Sequence, residues 1–173
     1  RGPKYTRRKV ITAVVMNIIL YTAPVWADSM KYKTYVEKIS SVYRIATLRV
    51  CCAYRTVSDD AACVISGMIP IDLLAKERKY IYMKNYSPHE ARAVTMDEWQ
   101  ARWTFTLIPD IKKWLDRKHG DLDYYTTQFL SGHGGFKQYL HRFGLADSPL
   151  CPYCTDSIQD SRHIFFDCPR FSV

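Results

Sequence analysis

Four residues near the end of the chain leave little freedom in how that end folds. Cys151-Pro-Tyr-Cys154, then His163, then Cys168, form a C-x2-C-x8-H-x4-C pattern within 18 residues. Two thiolates on a tight knuckle, an imidazole on the next segment and a last thiolate beyond it suffice to close a tetrahedron around one zinc ion. A stretch this short buries too little apolar surface to fold unaided, and bound zinc contributes about 10–16 kcal/mol to folding such units. Four protein ligands leave no open position for water or substrate, so the expected zinc is structural and not catalytic. The alternative is a partly buried group of cysteines without an ion. Asp156, Asp160 and Asp167 against Arg162 and Arg170 leave this unit with a local charge near −1, a poor attractor of phosphate. Tyr153, Phe165 and Phe166 are stacking candidates or, alternatively, its own small core.

The other cysteines, Cys51, Cys52 and Cys63, sit among apolar neighbours and read as buried, inert thiols. Six cysteines in 173 residues are too dilute for a disulfide scaffold, which favours a reducing, intracellular compartment. With 47% apolar and 14% aromatic residues the chain has ample core material, which excludes disorder as the default. The net charge of +8 favours a polyanionic partner, and it is unevenly placed. Residues 1–90 hold 15 basic and 7 acidic side chains, whereas residues 91–173 hold 10 of each.

The periodicity predicts a mainly α chain. Between Met30 and Cys52, Val36, Ile39, Tyr43, Ala46 and Val50 recur at three and four, one helical face. Lys31, Lys38 and Arg49 fall along one flank of that seam and Lys33 and Arg44 along the other, as a solvated rim or a phosphate-facing edge. Ser58 reads as the cap of a helix with Asp59 and Asp60 in its first turn and Gly67 as its stop. Further helices are predicted from Ile71 to about Asn85, from Ser87-Pro88 through Trp99 and Trp103, from Asp110 to Lys118 closed by His119-Gly120, and over Phe136 to Phe143. The expectation is a helical bundle with a small CCHC zinc unit after it. The division is a basic, thumb-like region over residues 1–90, a helical connector over 91–149 and the zinc unit over 150–173.

Val10 to Ala27 is a run of 18 residues without a charge, preceded by Arg7-Arg8-Lys9. Thr12, Asn17, Thr22 and Pro24 interrupt it, so it reads as a buried core helix, with a membrane segment as the alternative. The chain opens on Arg1 with this run already close, and is expected to be part of a longer polypeptide.

Several apparent catalytic motifs have simpler readings. The Ser58-Asp59-Asp60 run resembles a polymerase carboxylate pair but sits at a helix start and not in a hairpin. Gly132-His-Gly-Gly135 resembles an oxyanion turn, yet the chain has no Gly-x-Ser-x-Gly elbow, so a tight turn is expected. His89, His119 and His141 lack ligand spacing, and no catalytic residue is assigned.

Leu20-Tyr-Thr-Ala-Pro-Val-Trp-Ala27, Leu48 to Ser58, Gly67 to Arg78 and Tyr124 to Leu140, in that order and followed by the Cys/His unit, carry a family resemblance. Together they resemble the C-terminal part of the Pol polyprotein of arthropod type I non-LTR retrotransposable elements, the clade that inserts into ribosomal RNA genes. The resemblance implies a parent with an endonuclease, then a reverse transcriptase, then a thumb-like helical region and a CCHC zinc unit, of which this chain is the last two. It also implies RNA template and DNA target as partners, an upstream reverse transcriptase domain in the same polypeptide, no membrane, and action in the nucleus. Magnesium would serve the parent polymerase and not this fragment, since the aromatic-Ala-Asp-Asp box is missing here. Relatives look longer between Trp99 and Ile108, which points to a deletion.

The expectation is therefore a noncatalytic, nucleic-acid-handling segment with a structural zinc held by Cys151, Cys154, His163 and Cys168. Arg7, Arg8, Lys9, Lys31, Lys38 and Arg49 are the phosphate candidates, argued from charge segregation alone. The rival expectation is a protein-interaction or structural zinc module without a direct nucleic-acid role.

Overall fold

The short polar side chains of Ser58, Ser87, Asp110 and Asp123 decide where four of the helices begin. Ser58 Oγ accepts from Ala61 N at 3.3 Å, Asp110 from Lys113 N at 3.0 Å, and Asp123 from Thr126 N at 2.7 Å. Ser87 and Glu90 form a reciprocal capping box, each accepting the other's backbone N–H. Left-handed residues end the helices at Cys52, Gly67, Asn85 and Gly132. At Gly67 a methyl group would lie 3.1 Å from Leu115 Cδ2, so both conformation and space call for glycine.

The computed structural model describes residues 4–104, 107–118, 121–154 and 156–171. Its elements are α1 Tyr5–Leu20, α2 Ala23–Trp26, a 3-10 turn Ala27–Lys31, α3 Lys33–Cys51, α4 Asp59–Ser66, α5 Ile71–Lys84, α6 Pro88–Arg102, α7 Ile111–Asp116, α8 Tyr124–Ser131 and α9 Lys137–Arg142. A π-helical turn, His163–Asp167, closes the series. The chain is mainly helical, and among the described residues there is no strand, only one isolated antiparallel bridge between Leu150 and Ile158. Helix α7 stops at Asp116, short of the predicted Lys118, and the predicted closure at His119-Gly120 lies outside the described residues.

Helix α5 lies at the centre, packed on α1, α2, α3 and α6, while α3 also packs on α1 and α4. Ile65, Ile71, Leu73, Trp99 and Ile111 are essentially inaccessible to water, each side chain contributing about 1.5–3 kcal/mol of burial. The same cluster takes in Leu20 and Ala23 near the start, Val50 and Cys51 from α3, and Leu122 and Leu130. The predicted seam of α3 faces inward, with Tyr43 and Val50 buried and Val36, Ile39 and Ala46 half-buried.

Helix C-termini leave carbonyls without intrahelical partners, and distant side chains satisfy them here. At the end of α3, Arg8 Nε donates to Val50 O (3.0 Å) and Thr127 Oγ1 to Cys51 O (2.5 Å). At the end of α4, Trp114 Nε1 donates to Val64 O (2.8 Å) and the Tyr5 hydroxyl to Ser66 O (2.9 Å). These bonds join α1, α7 and α8 to the two helix ends at the middle of the molecule.

The uncharged run is not the buried core helix that its composition predicts. Val10, Ile11, Val14 and Ile18 of α1 face outward, and only Thr12 and Leu20 of that helix are buried. The apolar residues go all round the helix, so packing one side on α3 and α5 leaves the other side in water. Among the described residues no single helix is long and apolar enough to cross a membrane; α1 and Ala23–Lys31 pass that test only as a pair bent by 56°.

Candidate metal centre and basic surfaces

The chain before Cys151 pairs with the chain after Cys154. Cys151 N donates to Ser157 O (2.8 Å) and Gln159 N to Pro149 O (2.9 Å), which doubles the chain back and leaves the thiols of Cys151 and Cys154 facing one centre. Asp160 Oδ1 then caps His163 N at 2.7 Å, and the π turn returns Cys168 N to His163 O at 2.8 Å. That five-residue bond brings the imidazole and the last thiol together; a regular helical turn would have carried Cys168 further round the axis.

The four ligand atoms lie within 4.8 Å of one another. Cys154 Sγ is 3.4 Å from His163 Nε2 and 3.6 Å from Cys168 Sγ, and Cys151 Sγ is 4.0 Å from Cys168 Sγ. Tetrahedral zinc with ordinary bond lengths requires S···S edges of about 3.8 Å and S···N edges of about 3.6 Å, so this set fits the ion. The sulfurs are too far apart for disulfides, and all six cysteines of the chain are free. Cys151, Cys168 and His163 are buried and Cys154 half-buried. At Cys151 burial opposes the thiolate, but backbone N–H groups of Tyr153 and Cys154 and a hydrogen bond with His163 outweigh it and hold the thiol below its usual range. Burial and the sulfurs of Cys168 and Cys151 push Cys154 up. One thiolate thus disfavours the next, a repulsion that a divalent cation would remove.

The first turn of α9 and the end of α8 carry this unit. Lys137 N and Gln138 N donate to Gln159 Oε1 and O (3.0 and 3.2 Å), and the Phe129 ring meets Phe165 at 5.6 Å. Phe165 and Phe166 are otherwise largely exposed, and Arg170 lies over the Tyr153 ring at 4.1 Å. The Gly132-to-Gly135 segment starts as the left-handed cap of α8, and His133 Nδ1 pairs with Ser131 O at 2.8 Å.

The six phosphate candidates do not share one environment. Arg7, Lys9, Lys31, Lys38 and Arg49 are exposed, whereas Arg8 is drawn inward by Val50 O and by Leu122 O (3.3 Å). Lys9 lines a small cleft with Arg117 and Lys118. Lys31 lines another with Lys76, Lys79, Lys84 and Arg102, where Asp28 and Asp72 neutralise Lys79 and Arg102. Arg49 lines a cleft of about 840 Å³ with Arg44, Tyr54, Arg55 and Tyr124. Sequence reasoning singled out none of Tyr54, Arg55 and Tyr124 as a functional residue; an aromatic–basic pair directly after a helix end is the signal that marks the first two.

The apparent carboxylate pair is used in structure. Asp59 forms an ion pair with Arg44, and Asp59 and Asp60 occupy the first turn of α4. His89 is exposed, His141 Nδ1 pairs with Ala146 O at 2.9 Å, and His119 lies outside the described residues. Cys51 and Cys63 are buried, their thiols pushed up by burial, Cys51 to about 11; Cys52 is half-buried.

The chain is similar to proteins of type-1 retrotransposable elements. It is 28% identical over 96% of its length to a 115 kDa protein in the element R1DM of Drosophila melanogaster. It is 27% identical over 94% to the retrovirus-related Pol polyprotein from element R1 2 of Nasonia vitripennis, and 25% over 87% to that from element R1 of Bradysia coprophila. It spans 19%, 47% and 18% of those relatives, and its match falls in a C-terminal part of Pol. The first alignment runs over 198 positions, so that relative carries residues in the matched stretch that this 173-residue chain lacks. No known family's sequence profile and no solved structure matches the chain.

Proposed function

We propose that this chain is a noncatalytic, nucleic-acid-handling C-terminal part of a retrotransposon reverse transcriptase, holding one structural zinc ion through Cys151, Cys154, His163 and Cys168. The observation that carries it is the four-ligand cluster in a chain whose relatives are R1 proteins, two of them named Pol polyproteins. In this reading residues 1–90 are the thumb-like part, 91–149 the connector and 150–173 the zinc unit. Zinc supplies the closure of the last unit and no reaction chemistry. Polymerisation and endonuclease cleavage, with their magnesium, belong to parts of the polypeptide upstream, and the whole acts in the nucleus on an RNA template and a DNA target. Arg7, Lys9, Lys31, Lys38 and Arg49 contact phosphates, which supplies affinity without sequence preference.

Two measurements test this. Native mass spectrometry should show one zinc per chain, lost on chelation and in Cys168→Ser; a metal-free folded chain overturns the zinc assignment. Binding to an RNA–DNA duplex, followed by fluorescence anisotropy, should weaken steeply with salt. Lys31→Glu with Lys38→Glu should lower both affinity and salt slope, and unchanged values remove the basic helices from the interface.

A second reading has its own observation. Val10, Ile11, Val14, Ile18, Tyr21 and Val25 are 57–87% exposed along one side of α1 and α2, an apolar patch that a soluble surface seldom leaves open. It suits a seat for the upstream polymerase part. Val14→Glu with Ile18→Glu should abolish co-purification of the two parts expressed as separate chains; retained co-purification excludes this face.

A further inference from the structure

The cleft of about 840 Å³ at the C-terminal end of α3 is lined by Arg44, Arg49 and Arg55, by Tyr54 and Tyr124, and by no carboxylate. Its two kinds of lining residue have separate tasks. Arg44 is already spent: its guanidinium pairs with Asp59 and donates to Arg55 O (2.5 Å) and Val57 O (2.6 Å). It thereby pins the loop after α3, which the left-handed Cys52 has turned away from the helix axis. Arg49 and Arg55 are exposed and form no ion pair among the described residues. The nearest acid to Tyr124 in sequence, Asp123, faces the start of α8 and accepts from Thr126 N.

The two tyrosines are held before any ligand arrives. Their hydroxyls hydrogen-bond to each other, and their rings meet edge to face at 5.9 Å, 84° apart. Tyr54 also touches the His133 ring at 6.1 Å. Each tyrosine still has about two-fifths of its surface open, 39% for Tyr54 and 43% for Tyr124. Exposed Ile45 and the side chains of Leu48 and Ala53 supply apolar lining beside them. Fixed aromatic rings next to unpaired guanidiniums are the chemistry of a stacked base with its phosphate. A paired duplex hides the faces of its bases, so such a site selects single strands.

We propose that this cleft binds single-stranded nucleic acid, Arg49 and Arg55 taking phosphates while a base stacks on Tyr54 or Tyr124. The inference deepens the nucleic-acid reading above and rests on it.

Fluorescence anisotropy on the zinc-loaded chain tests it with labelled 12-nucleotide single strands of DNA and of RNA, each also in abasic form. Arg49→Ala with Arg55→Ala should weaken every strand about tenfold or more and reduce the salt slope by about 0.7 per arginine. Tyr54→Leu with Tyr124→Leu should weaken base-bearing strands about tenfold and leave abasic strands unchanged, while Tyr54→Phe with Tyr124→Phe, which keeps both rings, should retain binding. Tighter binding of RNA than of the same DNA sequence would assign a contact to the 2′-hydroxyl; equal binding would assign recognition to base and phosphate alone. If the wild-type chain binds duplex but the variants, folded by circular dichroism, bind single strands unchanged, the cleft is wrong and the broader reading stands. If the wild-type chain binds neither duplex nor single strand, both fall.

Discussion

Arg8 Nε donates to Val50 O at 3.0 Å, so a cation that charge counting offers to phosphate instead closes the end of α3 from α1. Its second bond, to Leu122 O, reaches 114 residues along the chain. Arg8→Ala leaves both carbonyls short of a charged donor and should cost about 1–3 kcal/mol of stability, read as a lower urea midpoint at unchanged slope. Arg7→Ala, one residue away and exposed, should stay within about 0.5 kcal/mol.

The cysteines should fall into three classes of reactivity. With zinc bound and no denaturant, a colourimetric thiol reagent should titrate Cys52 alone, since it is half-buried and lies outside the cluster. Chelation should release three more thiols, those of Cys151, Cys154 and Cys168. Cys51 and Cys63, buried and held protonated by that burial, should react only on unfolding. A chelator that releases no thiols would contradict the metal centre.

Gly67→Ala meets two obstacles at once: a left-handed backbone and Leu115 Cδ2 at 3.1 Å from the new methyl. A loss of about 1–2 kcal/mol is expected. Gly135→Ala, where an added methyl touches nothing within 4 Å, should be close to neutral. Equal effects in thermal denaturation would show that neither the left-handed backbone nor Leu115 penalises a methyl at Gly67.

Stability should fall in acid through the helix caps. Hydrogen bonds from Ser87 to Glu90, from the Lys113 backbone to Asp110 and from the Thr126 backbone to Asp123 hold these carboxyls below their usual range. A lowered folded-state value means stability present in full above the ordinary carboxylate range and lost as pH falls through the lowered one. Glu90→Gln should flatten that acid limb, and a variant as acid-sensitive as the parent removes Glu90 from it.

Sequence spacing made the candidate metal centre legible because all four Cys/His residues lie in one short stretch of chain. The cap at Ser58 and the helix starts near Ser87 and Asp110 were equally legible, where a side chain bonds a backbone N–H three residues on. The exposed side of α1 was not, since apolar residues all round a helix carry no signal of which side finds a partner.

Local chemistry by itself thus determined the starts of α4, α6 and α7, the Gly67 stop and the Cys/His set, because each depends on residues close together along the chain. Only the tertiary structure decided that Arg8 turns inward to carbonyls, that Asp59 is spent on Arg44, and that Arg49 and Arg55 come to flank Tyr54 and Tyr124. The physical reason is that a charge is steered by whichever unsatisfied partner the fold brings near it. For Arg8 those partners are the end of α3 and Leu122, and Tyr124 lies 70 residues beyond Tyr54, separations at which composition and periodicity carry no information.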